Sequence, residues 1–333
     1  MPSGNRFDLL SEERIRRIGQ KSGLDFIAEP PERFVEAVRQ CAMSWEKDRA
    51  SRHMPSGLLY HYCDAHALLN ILKTRAVWAT STKYLNDTTE LLSFSNSMRA
   101  HADKHRNSAA GEALSDMVDF YWVSSDTMQT QTIGMDRFAS CFSTDGDLLS
   151  QWRAYGNNGR GYAIGFDATA FAGLVGTTPT MTLRRMAYGA GHEAKLIDDL
   201  IVRFATAIAD HIDILDTTGW GTVHARNWLS MRFGECLLDM ADEVKDSAFV
   251  EEKEWRLYGV SQDVQYRVSA DRIVPYQQLD LTAATNPKLL PIGEIVIGPR
   301  LDFKEAVVSL TTYGSSFGYG TSLDFRKSKA PYR

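Results

Sequence analysis

The segment Glu252-Lys253-Glu254-Trp255-Arg256 carries two carboxylates and an arginine at alternate positions. Alternate residues of a β-strand share a face, so the sequence predicts that Glu252, Glu254 and Arg256 project together while Trp255 points to the core. A carboxylate held beside an arginine on a rigid strand can stabilise a cation or bind a sugar hydroxyl. The competing interpretation is a solvent-exposed strand face, on which such a pair contributes little.

His61 is the second candidate for a chemical role, and it lies near the end of a predicted strand between Tyr60 and Tyr62. Imidazole can donate and accept hydrogen bonds near neutral pH, which suits a residue that contacts a ligand. A histidine in this setting can equally be a structural residue whose hydrogen bonds are satisfied within the protein. Both interpretations stay open at the level of sequence.

A third group of candidates surrounds a short predicted helix. Ser143 ends the preceding strand and could cap that helix. Trp152 and Tyr155 are one helical turn apart, so they fit an aromatic wall for a planar ring, although Trp152 could instead fill the core. The glycines of segment 156–161 lack the spacing of a Rossmann fingerprint or a P-loop.

Composition and motif spacing argue against several other classes. The net charge of -5 over 333 residues shows no strong footprint for binding duplex nucleic acid. The eight histidines and four cysteines show neither metal-ligand spacing nor a disulfide framework, so we predict no metal site. Because no window approaches 18 apolar residues and no signal peptide is recognised, we expect a cytoplasmic protein without a membrane partner.

Hydrophobic periodicity predicts an α+β protein with two main regions. Residues 1–57 form an N-terminal helical extension that ends in a linker over 49–57, and residues 58–333 form the main domain. Within that domain, residues 190–247 are wholly helical in pattern and are interpreted as an inserted helical hairpin. This insertion offers a surface for a partner protein.

Strands are predicted on both sides of the helical block, so the sheet must combine segments that are distant in sequence. The predicted strands are 58–62, 77–80, 138–143, 161–166, 252–260, 266–275, 292–297 and an extended segment at 322–326. The predicted helices are 11–21, one from Pro30-Pro31 through Trp45, 65–75, 90–105 with a capping box from Asp87 to Glu90, 111–124, 148–155, 193–212, 223–244 and 303–313.

Several short motifs occur in an order that resembles the bacterial domain of unknown function 2971 family, from about Leu58 to Arg333. These motifs are Leu59-Tyr60-His61-Tyr62, Trp78-Ala79-Thr80, Leu85-Asn86-Asp87 with Glu90, Cys141-Phe142-Ser143, Gln151-Trp152-Arg153-Ala154-Tyr155, Gly161-Tyr162-Ala163-Ile164-Gly165-Phe166, Glu252-Lys253-Glu254-Trp255-Arg256 and Lys327-Ser328-Lys329-Ala330-Pro331-Tyr332-Arg333. The family name implies almost no biochemistry.

The opening strand with His61, a short helix and a second strand also resembles the start of ADP-ribosyltransferase folds. That resemblance implies a mixed, mostly antiparallel split sheet, a histidine that contacts the NAD ribose, and a late-strand glutamate that stabilises an oxocarbenium-like transition state. Glu254 is the candidate for that glutamate, with Glu252 as the alternate. Ser143, with Tyr155 behind it, is the candidate for holding the nicotinamide side.

The resulting hypothesis is an NAD-using ADP-ribosyltransferase-like enzyme, either a transferase or a glycohydrolase, with NAD as its substrate. Its catalytic residues are expected to be Glu254 and His61, and its cofactor-binding residues to be Ser143, Tyr155, Trp152, Arg256 and Tyr62. The acceptor stays open between protein, nucleic acid and water, and a role as a toxin or antiphage effector is compatible with this chemistry. The alternative is a non-catalytic module that binds a nucleotide or nucleic acid.

Overall fold

The computed structural model describes residues 31–52, 55–85, 137–178, 181–211, 243–259, 263–269, 271–282, 289–320 and 322–332, with scattered positions between 97 and 115 and between 229 and 240. The chain divides into two units. One comprises residues 1–52, 86–136 and 187–247, and the other comprises residues 53–85, 137–186 and 248–333. The predicted helix at 11–21 and the capping box at Asp87 lie outside the described residues. The domain boundaries predicted from the sequence stay a prediction.

The elements are numbered here in chain order. The helices are α1 (Glu32–Arg52), α2 (Ala65–Thr74), α3 (Leu149–Ala154), α4 (Ala168–Thr177), α5 (Ala190–Ala209) and α6 (Phe303–Ser315). The strands are β1 (Leu58–Cys63), β2 (Ala76–Ser81), β3 (Phe138–Ser143), β4 (Tyr162–Asp167), β5 (Met181–Arg185), β6 (Ala187–Tyr188), β7 (Val244–Lys245), β8 (Glu254–Gly259), β9 (Gln265–Ser269), β10 (Arg272–Asp280), β11 (Ile292–Ile297) and β12 (Phe325–Lys327). Single 3-10 turns occupy Thr82–Tyr84, Asn157–Gly159 and Ser247–Glu252.

The unit with α1 and α5 has a helical core. The two helices contribute the apolar faces that their sequences predict, and scattered helical positions between 229 and 240 join the same cluster. Its buried members from α1 and α5 are Phe34, Val38, Ala42, Trp45, Ile197, Leu200, Ile201, Phe204 and Ile208. Ile212, which the periodicity places on the same face, lies outside the described residues.

The predicted linker over residues 49–57 begins too early. Helix α1 continues to Arg52, and the Arg49 guanidinium is buried, forms an ion pair with Glu243 and lies 3.9 Å from the ring centroid of Trp45. A buried arginine needs an ionic partner, whereas an arginine in a solvated linker does not. The pairing of Arg49 therefore indicates a packed helix at this position.

The other unit contains a sheet of ten described strands. Eight of them follow the order β12-β11-β4-β1-β3-β2-β10-β9, while β8 pairs with β3 and with β5. Every pair is antiparallel except that between β11 and β12. The expectation of a mixed α+β fold with a mostly antiparallel sheet is therefore confirmed.

Strands β1 and β2 part from one another along one edge of β3. All six residues of β3 pair with β8, so β1 and β2 must share the opposite edge. Strand β1 reaches that edge through Tyr60 and Ser143 alone, and β2 reaches only its other end, at Phe138 and Ala139. The edge of β3 around Cys141 therefore opens between the two strands.

The apolar face of this sheet carries an extensive core, which fixes the register of the strands that position the cleft. Three helices of this unit have an aspartate as their N-cap residue. The side chains of Asp64, Asp167 and Asp302 accept hydrogen bonds from backbone amides in the first turns of α2, α4 and α6. Buried members of the core include Leu59, Leu68, Leu72, Phe142, Phe166, Phe171, Trp255, Leu257, Ile295 and Leu310.

Three further differences from the sequence prediction lie within this unit. The predicted strand over 266–275 is the hairpin of β9 and β10, in which Ser269 pairs with Arg272. Helix α4 and strand β5 were not predicted. Helix α4 is apolar on most sides, so periodicity alone gives it no clear face.

The glycine-rich segment after α3 has a packing explanation. Gly159 has a φ of +78°, which favours glycine, and a Cβ at Gly161 would collide with the backbone oxygens of Cys63 and Gly156. These glycines therefore allow close backbone approach at the end of β1.

Among the described helices, no candidate for crossing a bilayer occurs.

Candidate functional site

A cleft of about 400 Å³, counting space that is open to solvent, lies where β1 and β2 part. The cleft is lined by β1, β3, α3 and the chain just before and at the start of β8. Its lining residues are Tyr60, His61, Tyr62, Cys141, Phe142, Gln151, Tyr155, Glu252 and Glu254.

Glu254 is the most buried carboxylate of this cleft, with 5% of its surface exposed. Its Oε1 accepts a hydrogen bond of 2.7 Å from Arg256 Nε, and its Oε2 lies 3.4 Å from an Arg256 terminal nitrogen. Arg256 is also 5% exposed, and although burial alone lowers its pKa, the charge of Glu254 raises it well above its ordinary value. Glu254 and Arg256 are therefore buried, and the competing interpretation of a solvent-exposed strand face is wrong for these two residues.

Glu252 does not share the strand geometry of Glu254. Strand β8 begins at Glu254, whereas Glu252 ends a 3-10 turn and Lys253 between them has a φ of +48°. This left-handed residue breaks the alternation predicted for a strand from residue 252. Glu252 nevertheless lines the cleft, so the turn delivers a second carboxylate by a route that the pattern did not indicate.

His61 bridges the opening between β1 and β3. Its Nδ1 lies 2.9 Å from the carbonyl oxygen of Cys141, and since a carbonyl only accepts, Nδ1 must carry the hydrogen. Burial lowers the pKa of His61, and the positive charge of Arg267 lowers it further, although the hydrogen bond to Cys141 opposes both effects. The ring is therefore neutral at physiological pH, which leaves Nε2 as an acceptor.

Replacing His61 by asparagine is expected to remove part of the acid sensitivity of the protein. The unfolded-state pKa of histidine is about 6.5, and that of folded His61 is lower, so below pH 6.5 the unfolded chain binds more protons. The free energy of unfolding of the wild type should therefore fall as the pH drops from 8 to 5. Urea titrations at both pH values should show a smaller fall for His61→Asn, and an equal fall would contradict the lowered pKa.

The two tyrosines beside His61 are fixed through their hydroxyls. Tyr60 donates a 2.6 Å hydrogen bond to Glu294, and burial together with that carboxylate raises the pKa of Tyr60 to about 12. The Tyr62 hydroxyl donates to the carbonyl of Asp145 at 2.8 Å and accepts from the amide of Leu148 at 2.9 Å. Both residues thus contribute rigid aromatic surface to the cleft.

Of the two helix aromatics, the structure brings Tyr155 to the cleft and leaves Trp152 behind it. Tyr155 lines the cleft and is 45% exposed, whereas Trp152 is fully buried. The Trp152 ring packs edge-on against Tyr62 at 4.9 Å between centroids, and its Nε1 donates to Asp147. Trp152 therefore supports the wall that Tyr62 provides.

Ser143 also lies next to the cleft without being among its lining residues. Its hydroxyl donates to the Glu252 carbonyl at 2.7 Å and accepts from the Asp145 amide at 3.1 Å. Helix α3 has Leu148 as its N-cap residue, with no side-chain capping bond, so Ser143 does not cap it. Instead, Ser143 ties the end of β3 to the turn that carries Glu252.

Of the predicted site residues, the structure brings His61, Tyr62, Tyr155 and Glu254 to one cleft, together with the alternate Glu252. It places Arg256, Trp152 and Ser143 directly behind these residues. Sequence reasoning missed four lining residues: Tyr60, Cys141, Phe142 and Gln151. All four occur in the motifs that carry the family resemblance, which was the available signal.

The arrangement combines two carboxylates, a neutral imidazole acceptor and aromatic surface. Carboxylates at close range favour a ligand that bears or develops positive charge, and they also accept hydrogen bonds from hydroxyls. Tyr155, which is 45% exposed, offers surface for a planar ring. The cleft therefore combines hydrogen-bond acceptors for hydroxyls with aromatic surface for a planar group.

Comparison with curated proteins and comparison with solved structures give no match. A family model described as "Protein of unknown function (DUF2971)" matches residues 151–257. That span includes Glu252 and Glu254 but not His61. Over this stretch, about a third of the chain, the protein is similar to the DUF2971 family.

Proposed function

We propose that the protein is an NAD-using enzyme of the ADP-ribosyltransferase type, acting as a transferase or as a glycohydrolase. The observation that supports this most directly is that Glu254 and His61, which are 193 residues apart in the sequence (254 − 61), line one cleft at the parting of β1 and β2. Catalytic groups must converge on one ligand, and two residues that line the same cleft from rigid strands meet that requirement.

The proposed reaction breaks the bond between nicotinamide and ribose, which builds positive charge on the sugar. A carboxylate fixed in advance stabilises that charge more in the transition state than in the bound substrate, and this difference accelerates the reaction. Glu254 would supply the carboxylate, with Arg256 holding its orientation. His61 would accept a hydrogen bond from a ribose hydroxyl, and Tyr155 would pack against the nicotinamide ring.

A second candidate is a non-catalytic module that binds a nucleotide in the same cleft. The observation that favours it is the engagement of both Glu254 oxygens by Arg256, which neutralises part of the charge that catalysis would use. In this case the cleft would recognise the ligand through the same contacts but leave its glycosidic bond intact.

Calorimetric titration with NAD, combined with an assay for released nicotinamide, separates the two candidates. Binding accompanied by release of nicotinamide supports the enzyme, whereas binding without release supports the module. If the wild-type protein shows neither, the NAD-using enzyme is to be abandoned, and the module is left with nucleotides other than NAD.

The proposed role as a toxin or antiphage effector adds an expectation at the level of the cell. Expression of the wild-type protein should arrest growth by depleting NAD or modifying a target, and Glu254→Gln should relieve the arrest. Normal growth at a matched expression level would argue against this role while leaving the biochemical proposal intact.

A further inference from the structure

Arg267 on strand β9 lies against two aromatic rings. Its guanidinium carbon is 5.4 Å from the ring centroid of Trp78 and 6.0 Å from that of Tyr276. The two rings lie 4.5 Å apart with an interplanar angle of 35°. The antiparallel register of β9, β10 and β2 brings the three residues together. Tyr276 of β10 pairs with Thr80 of β2, and Arg267 of β9 pairs with Val274, two residues before Tyr276 on β10.

The charge of Arg267 has no acidic partner among the residues that the structure describes. Its one hydrogen bond there runs from a terminal nitrogen to the Thr80 hydroxyl, at 2.9 Å. Burial lowers the pKa of Arg267, opposed by Tyr276, yet an arginine keeps its proton in proteins. A partly buried cation held against aromatic rings without a carboxylate has lost hydration that an anionic ligand could replace.

Unused hydrogen-bond donors point in the same direction. Arg267 Nε and Trp78 Nε1 are both buried, and neither has a hydrogen-bond partner within the described part of the chain. Unsatisfied buried donors are costly and uncommon in folded proteins. Arg267 itself carries one of these donors and Trp78 carries the other, so the cluster combines an unpaired charge with hydrogen-bond donors that lack an acceptor among the described residues.

The cluster formed by Arg267, Trp78 and Tyr276 borders the open edge of β3 around Cys141, where the cleft lies. Thr80, which accepts from Arg267, pairs with Ala139, two residues before Cys141 on the same strand. Cys141 in turn receives the hydrogen bond of His61. The cleft itself presents carboxylates, so a cation at its border supplies the charge that a negatively charged part of the same ligand requires.

We propose that Arg267, Trp78 and Tyr276 form a subsite for the phosphate groups of a nucleotide whose other end occupies the cleft of His61 and Glu254. The inference rests on the proposed function in taking that ligand to be a nucleotide. The guanidinium fork matches phosphate oxygens and Trp78 Nε1 adds a donor, while the aromatic rings hold the fork in place. The phosphate end of the ligand would therefore lie at the cation of Arg267, and its other end would lie at the carboxylates of the cleft.

The test is the affinity for ADP, compared with that for adenosine, which lacks phosphate. Wild-type protein should bind ADP more tightly than adenosine, and Arg267→Gln should weaken ADP binding by about 10- to 100-fold while leaving adenosine unchanged. The matched control is Arg272→Gln, an exposed arginine on the same hairpin, which should bind ADP as the wild type does. Melting curves establish that each variant is folded.

Equal affinity of Arg267→Gln and the wild type for ADP would overturn the subsite, and so would a wild type that does not bind ADP at millimolar concentration. If Arg267→Gln does not fold, Arg267→Lys should still weaken ADP binding severalfold, because an ammonium lacks the fork; unchanged affinity would again overturn the subsite. ADP binding that depends on Arg267 without any release of nicotinamide from NAD would leave the subsite standing and remove the proposed enzyme. Release of nicotinamide together with ADP binding that does not depend on Arg267 would support the proposed enzyme and remove the subsite.

Discussion

Glu254→Gln is expected to slow nicotinamide release from NAD by about 100- to 1000-fold, the range typical of removing one electrostatic group from a transition state. Glutamine has nearly the same shape but carries no charge, so it cannot stabilise positive charge on the ribose. Because the effect arises in the transition state, affinity for NAD should change by only a few fold. The measurement is single-turnover release of nicotinamide, with calorimetry for the affinity.

Three further variants make this result specific. Glu251→Gln removes an exposed carboxylate from the same turn and should behave as the wild type does. Glu254→Asp keeps the charge beside Arg256 but withdraws it by one methylene, so it should fold and still lose most of the rate. Glu252→Gln tests the alternate carboxylate. A larger loss for Glu252→Gln than for Glu254→Gln would transfer the catalytic role to Glu252.

Arg256→Met is expected to lower the free energy of unfolding by about 3–5 kcal/mol, the usual effect of removing one partner of a buried ion pair. The side chains of Arg256 and Glu254 are only 6% and 7% exposed, so the substitution would remove a buried cation from beside a buried carboxylate. Urea denaturation followed by the signal of the sheet-containing unit would measure the loss.

The control for this substitution is an exposed ion pair in the same unit. Lys253 and Asp145 are 3.2 Å apart with side chains 53% and 37% exposed, so Lys253→Met should cost less than about 1 kcal/mol. The double variant Glu254→Met with Arg256→Met removes both charges and should be more stable than Arg256→Met alone. Equal losses for Arg256→Met and Lys253→Met would show that burial does not make the Glu254–Arg256 pair special.

Much of the fold could be predicted because local patterns determine it. The succession of β1, α2 and β2 follows from periodicity with an aspartate cap at Asp64, and the faces of α1 and α5 follow from their apolar spacing. The single strand predicted over 266–275 was wrong because β9 and β10 continue with similar strand-forming residues on both sides of the reversal. Apolar periodicity does not detect a tight turn between such residues.

The sequence by itself determined which residue types were available to a site, and it indicated Glu254, His61, Tyr62 and Tyr155 as members. Only the tertiary structure decided that Glu254 is buried against Arg256, because burial depends on what covers a strand and not on the order of its residues. The same holds for Arg267, which meets Trp78, 189 residues earlier in the sequence (267 − 78), because β10 pairs with both β9 and β2. Contacts between distant segments depend on sheet register, and register is set by the whole core.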